Sequence, residues 1–250
     1  MPPRLPATIR RRIPPRVVER WHDRNLRSFG HPLSVVIPHS LVDPMNLAFL
    51  GKVCERLDAT GVPGALVECG VYRGGSAGVL AHHAMRSADR HLWLFDAFAG
   101  MPAASEQDDD RAREIEGEFV GSEAQTRRIL ERVGMDPRRT HLEVGWFDDT
   151  FPGAETGTIA LLHVDCDFYD PVKLTLETFY PRLAPGGYVV INDYGSYEGC
   201  RVATDEFLGS LDEDVVPAAL DLHVVFFQKP GDEGRWPAMP PIPDPSTLRR

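Results

Sequence analysis

Asp165, Asn192 and Asp193 carry oxygen donors at two points of the chain where a polar group follows an apolar run. They close two apolar runs, Ile159 to Asp167 (IALLHVDCD) and Gly187 to Asp193 (GYVVIND). If those runs are neighbouring parallel strands, the three side chains converge on one point. Oxygen donors without sulfur or imidazole suit a hard cation such as Mg2+. The competing reading makes them strand-end acids that cap the following helices, a role that suits Asp167, which lies just before Tyr169-Asp170-Pro171.

A second constellation lies earlier in the chain. Glu68-Cys-Gly70-Val-Tyr72-Arg73-Gly74-Gly-Ser76 is a glycine-rich turn between a short apolar run and a helix-like segment. Glycines let the backbone approach a ligand, and a helix N-terminus offers free N–H groups to a carboxylate or phosphate. Tyr72 stands where the dinucleotide-binding fingerprint has its second glycine, which counts against a nicotinamide-dependent oxidoreductase. Asp96 ends the next run about 20 residues on, where an acid can accept hydrogen bonds from both hydroxyls of a ribose. A nucleoside-containing ligand follows. Glu68, inside an apolar strand, needs donors from a ligand ammonium, the turn amides or an arginine such as Arg73.

These positions require a particular scaffold. Apolar runs at 65–70, 91–98, 140–147, 159–167 and 187–193 alternate with helix-like segments at 76–85, 122–133, 171–183 and 199–208, and a late strand is expected at 223–228. Buried rather than alternating strands separated by helices mean a doubly wound, mostly parallel α/β sheet with helices on both faces. In such sheets ligands sit beyond the carboxyl ends of the strands. An amphipathic helix over 41–57 precedes the first strand, and the acidic segment 101–118, with Asp108-Asp109-Asp110, reads as a mobile loop in the place of a lid.

Composition limits the partners. The 250 residues carry a formal net charge of -10, which argues against a protein that tracks phosphate backbones. No run approaches the apolar length of a membrane span or a secretory signal, so neither nucleic acid nor membrane is expected, and the expected location is cytoplasmic. The four cysteines are too scattered for a disulfide framework or a zinc knuckle. Three parts are expected: a basic N-terminal extension over 1–40, partly helical from Pro15; a ligand-binding domain over 41–228; and a Pro-rich tail over 229–250.

Together, Val67 to Ser76 (VECGVYRGGS), Phe95 to Pro102 (FDAFAGMP), Gly145 to Pro152 (GWFDDTFP), His163 to Tyr169 (HVDCDFY) and Leu183 to Tyr194 (LAPGGYVVINDY) resemble the macrocin O-methyltransferase family. These are class I enzymes dependent on S-adenosylmethionine. The resemblance runs in order over roughly 40–228. It implies a seven-stranded, Rossmann-like sheet, with Glu68, Gly70, Tyr72, Arg73, Gly74, Ser76, Asp96, Gly145, Trp146 and Asp165 around the cofactor. It places Asp165, Asn192 and Asp193 on the family's metal positions and makes Asp165, or else His163, the general base. Asn192 departs from the family's usual Asp, which removes one negative charge from the ligand set. The implied acceptor is a hydroxyl of a small molecule, a sugar or polyketide-type natural product, and the implied assembly is a homodimer. A non-catalytic relative that only binds S-adenosylmethionine is the alternative that Asn192 leaves open.

Overall fold

The computed structural model describes residues 31–212 and 215–231. The helix expected from Pro15 and nearly all of the Pro-rich tail lie outside them. Among the described residues no helix is long and apolar enough to cross a membrane.

In order, the elements are α1 (Leu33–Val36), α2 (Pro44–Thr60), β1 (Ala65–Cys69), α3 (Gly75–Ala84), β2 (Leu92–Asp96), α4 (Asp110–Glu114), α5 (Glu123–Arg132) and β3 (Thr140–Val144). There follow α6 (Phe147–Thr150), β4 (Ile159–Val164), α7 (Tyr169–Phe179), β5 (Leu183–Ile191), α8 (Glu198–Ser210), β6 (Ala218–Ala219) and β7 (Val225–Gln228).

The strands form one sheet in the order β3-β2-β1-β4-β5-β7-β6. The first five are parallel, and β7 runs antiparallel to both β5 and β6. The chain winds outward from β1 to β3, then returns to lay β4 beside β1, so the order reverses between β1 and β4. That is where a doubly wound sheet opens a crevice for ligands. The two-residue β6 is too short to leave a periodic signal in the sequence.

Strand alternation divides the core into two layers. Ala65, Val67 and Cys69 face the layer that holds Phe151, Phe168 and Phe179, whereas Leu66 faces the layer built with α2 and α3. Helix α2 shows how local sequence sets an element. Asp43 caps its N-terminus by accepting from Met45 N at 2.9 Å, Pro44 takes the first turn, and Gly61 at φ 70° ends it. Its Leu47, Leu50 and Leu57 are fully buried, each contributing about 2 kcal/mol by removal from water. Upstream of α2, Val36 of α1 packs against α3 at Gly78, so the chain from residue 33 already belongs to the packed body.

Candidate functional site

The carboxyl ends of β1 and β4 stay in hydrogen-bonded contact as the strands end. Asp165 N donates to Cys69 O at 2.9 Å, and a Cβ at Gly70, whose φ is 90°, would overlap the Asp165 carbonyl oxygen. Only glycine satisfies both the left-handed backbone and the contact. The turn then passes through Tyr72 at φ 54° and Gly74 at φ 86° into α3.

Asp96, at the end of β2, holds that turn in shape. Its Oδ2 accepts from Val71 N at 2.6 Å and Tyr72 N at 2.8 Å, and its Oδ1 accepts from Phe98 N at 2.6 Å. Each carboxylate oxygen has two lone pairs, so one acceptor position on Oδ1 is left to offer a ligand hydroxyl. To the ribose contact expected from the sequence the structure adds this structural task.

Glu68 pairs with His163, not with Arg73. The two are cross-strand neighbours on β1 and β4, both 0 % exposed, with Oε1 2.8 Å from Nδ1. Arg73 instead lies over the Tyr72 ring, 4.9 Å from its centroid. Burial opposes a charge on His163, but the Glu68 carboxylate, helped by Asp165 and Asn192, holds its pKa above the ordinary value. The second Glu68 oxygen is buried without a hydrogen-bond partner.

Beyond β4 the carboxylates of Asp165, Asp167 and Asp193 come together, with one oxygen of each within 4.8 Å of the others. Asp167 does not cap α7. The N-cap is Phe168, which has no side chain to do so, and Asp167 sits at φ 61°, turned into the cluster. Alternation along an extended chain would put Asp165 and Asp167 on the same side only if the strand continued; here it is the left-handed residue that brings the second acid in. Asn192 lies at the rim of the group, where its Nδ2 donates to Asp165 Oδ1 at 3.0 Å.

Electrostatics makes the cluster costly when empty of cations. Burial, then the charges of Asp193 and Glu68, push Asp165 up to about 8, against the lowering pull of His163 and Asn192. Burial and the neighbouring Asp193 and Asp165 carboxylates push Asp167 well above the usual range, which the Arg111 guanidinium partly offsets. Three acids this close cannot all ionise cheaply without a counter-charge. Their hard oxygen donors fit a divalent cation.

The cluster and the glycine turn share one open cleft of about 1560 Å³. Gly70, Tyr72, Ser76, Asp96, Trp146, Asp165, Asn192 and Asp193 line it, whereas Glu68, Arg73, Gly74, His163 and Gly145 do not. Exposed Trp146 and Phe119 also line it, as do the apolar side chains of Leu41, Val42 and Met45.

Segment 101–118, expected to be a mobile loop, is held at several points. Met101 and Gly117 and Glu118 exchange backbone hydrogen bonds at 2.9 Å, and Ala104 N donates to Glu116. Its three consecutive acids differ completely: Asp110 is exposed, Asp109 caps α4, and Asp108 is buried. Asp108 Oδ1 accepts from Tyr169 N at 2.9 Å, which gives α7 the cap that Phe168 lacks. Nothing local in the sequence singles out Asp108 from its neighbours.

Residues 8–229 match the model of the macrocin O-methyltransferase family (TylF). A Streptomyces olivaceus protein named 8-demethyl-8-(2,3-dimethoxy-alpha-L-rhamnosyl)-tetracenomycin-C 4'-O-methyltransferase is 37% identical over 182 residues, 69% of each chain. Demethyldecarbamoylnovobiocin O-methyltransferase of Streptomyces niveus is 32% identical over 200 residues, 76% of each chain. Among solved structures, the O-methyltransferase NovP superposes with a TM-score of 0.70 at 29% identity, covering 77% of this chain and 83% of its own. The calicheamicin methyltransferase CalS11 shares the fold with a TM-score of 0.64 at 21% identity, covering 86% of this chain and 93% of its own. The oxidoreductase reading of the glycine turn falls with these matches. A family match over most of the chain, on the doubly wound sheet and the cleft just described, makes this protein a member of the macrocin O-methyltransferase family of class I methyltransferases.

Proposed function

We propose that this chain transfers a methyl group from S-adenosylmethionine to a hydroxyl of a glycosylated natural product, with a divalent cation, Mg2+, assisting loss of the hydroxyl proton. The observation that carries the reading is the convergence of Asp165, Asp167 and Asp193 in the same cleft as the glycine turn. The names of the relatives, which include a rhamnosyl-tetracenomycin methyltransferase and a novobiocin-pathway methyltransferase, support the acceptor class. So does the apolar wall of Leu41, Val42 and Met45, which suits an aglycone beside a polar sugar.

The residues fit both absent groups. Asp96 keeps one acceptor position for a ribose hydroxyl, and Trp146 offers a flat apolar face for a base. S-adenosylmethionine supplies a sulfonium methyl that is already activated, and Mg2+ supplies positive charge that favours the ionised hydroxyl. The protein's own part is alignment and proton removal. Asp165 Oδ1 accepts from Asn192 and keeps its second lone pair for the cation, which leaves Oδ2 to take the hydroxyl proton. His163 lies fully buried beneath the cleft and acts on Asp165 by its charge instead of meeting the acceptor. Asp167 and Asp193 complete the cation's ligand set with Asp165, and Asn192 turns its amide N–H₂ to Asp165.

Calorimetric titration of S-adenosylhomocysteine with and without Mg2+, followed by an acceptor panel for wild type and Asp165→Asn, tests the reading. The variant is expected to bind S-adenosylhomocysteine and to lose at least about 10²-fold in turnover. Unchanged turnover removes Asp165 as base and ligand. A homodimer, supported by the family resemblance, and a cytoplasmic location, supported by four buried free cysteines, complete the proposal; light scattering tests the first.

A further inference from the structure

We propose that Asp108 is a positioning residue for methyl transfer, whose buried carboxylate fastens the 101–118 loop to the turn that carries Asp167. The loop wall of the cleft and the acid cluster are then built as one unit. The inference rests on the methyl-transfer reading for its catalytic consequence, but its geometry stands alone.

Asp108 is 4% exposed and joins three separate segments. Its Oδ2 accepts from Ser105 N and Ser105 Oγ, both at 2.8 Å, which closes the loop on itself. Arg113 tightens the same corner by donating to Asp108 O at 2.8 Å and Ser105 O at 3.1 Å. Asp108 Oδ1 reaches out of the loop to accept from Tyr169 N. Against its other side lies Gly199, in the first turn of α8, where a Cβ would overlap Oδ1 and come within 2.9 Å of Tyr169 N. A glycine inside a helix is less favourable than alanine, and here its missing side chain is the space that the carboxylate occupies.

The consequence follows from helix-end chemistry. The first N–H groups of α7 have no partner inside the helix, and Phe168 supplies none. Lifting the loop would leave Tyr169 N–H buried and unpaired, two residues from Asp167, whose φ of 61° is a conformation that non-glycine side chains adopt only when their surroundings enforce it. The closed loop also sets Arg111 across the cleft, with Nη1 donating to Ser196 O at 3.0 Å and the guanidinium 4.9 Å from the Tyr197 ring centre. Loop closure and the shape of the Asp165–Asp167 turn therefore depend on the same carboxylate.

The test compares wild type, Asp108→Ala, Asp108→Asn and Gly199→Ala as full chains. Gly199→Ala breaks the latch from outside the loop and adds a good helix former to α8, so it stays informative if Asp108→Ala fails to fold. Native trypsin digestion reads cleavage after Arg111 and Arg113, calorimetry reads S-adenosylhomocysteine affinity, and initial rates give kcat and KM separately. Gly199→Ala and Asp108→Ala are expected to be cut, and to lose kcat, by at least about tenfold, the equivalent of one charge-assisted hydrogen bond. Cofactor affinity should stay within about threefold by the same conversion. Asp108→Asn keeps an oxygen for Tyr169 N and should fall between wild type and Asp108→Ala. Cleavage rates equal to wild type overturn the latch, and faster cleavage with unchanged kcat overturns the positioning role. If wild type itself methylates no acceptor, the methyl-transfer reading fails, and the latch is decided by the cleavage rates.

Discussion

Replacing Glu68 or His163 with leucine probes the buried pair that joins β1 to β4 beneath the cleft. Both side chains are 0 % exposed, with 2.8 Å between Oε1 and Nδ1, so each is the other's main compensation for leaving water. Removing one partner of such a pair costs about 3–5 kcal/mol, because the survivor stays buried without it. At about 2–4 °C per kcal/mol for a chain of this size, each single variant should lose roughly 6–20 °C in melting temperature. The pair lies in the sheet layer of Leu66 and Leu161, where two leucines can pack. Glu68→Leu/His163→Leu should therefore be more stable than either single variant, with a coupling energy of at least about 2 kcal/mol. Urea unfolding of all four proteins, followed by tryptophan fluorescence, measures the cycle. Single-variant costs that simply add, to within about 0.5 kcal/mol, would falsify the claim that the two groups compensate one another.

The raised acids set the pH dependence of stability. A group whose folded pKa is raised contributes stability that is complete below its unfolded value and lost as pH climbs through the folded one. For Asp165 that window runs from its ordinary 3.8 to about 8, and His163, also raised, acts in the same direction from 6.5 upward. Calorimetric melting temperatures should therefore fall from pH 5 to pH 8, and Mg2+ should restore more at pH 8 than at pH 5; a cation effect that is equal at both sinks the cluster as a binding site. Gly70→Ala should destabilise by roughly 3 kcal/mol or more in chemical unfolding, since strain at φ 90° adds to overlap with the Asp165 carbonyl. A cost near zero would mean that the strand ends separate easily. Asn192→Asp removes the donor to Asp165 Oδ1 and adds a fourth carboxylate. It should tighten Mg2+ binding by about tenfold in calorimetry while lowering the melting temperature without Mg2+, and equal affinity would place residue 192 outside the cation's reach.

Much of the scaffold was legible because buried parallel strands write themselves as unbroken apolar runs. Ala65–Cys69 and Ile159–Val164 are buried at every position, so no alternation obscures them. Helix α2 was legible through its apolar stripe, expected over 41–57 and found at Pro44–Thr60; the Asp43 cap and Pro44 set its start, and Gly61 its end, within one turn of chain. The late strand expected at 223–228 is β7, but its antiparallel direction and the two-residue β6 were not legible, because strand direction and edge pairing are settled by what lies across the sheet.

At the site, the length of each apolar run and the glycine or acid that closes it were enough to put Asp96, Asp165, Asn192 and Asp193 at strand ends. Tertiary structure alone decided their partners. It turned Asp167 into the acid cluster through one left-handed residue, set Asn192 as a donor at the rim, paired Glu68 with His163 across two strands, and chose Asp108 from three adjacent aspartates. The physical reason is range. Caps, turns and apolar periods are settled by residues within a few positions of one another. A buried carboxylate's hydrogen bonds and proton affinity are settled by groups that only folding brings within a few ångströms.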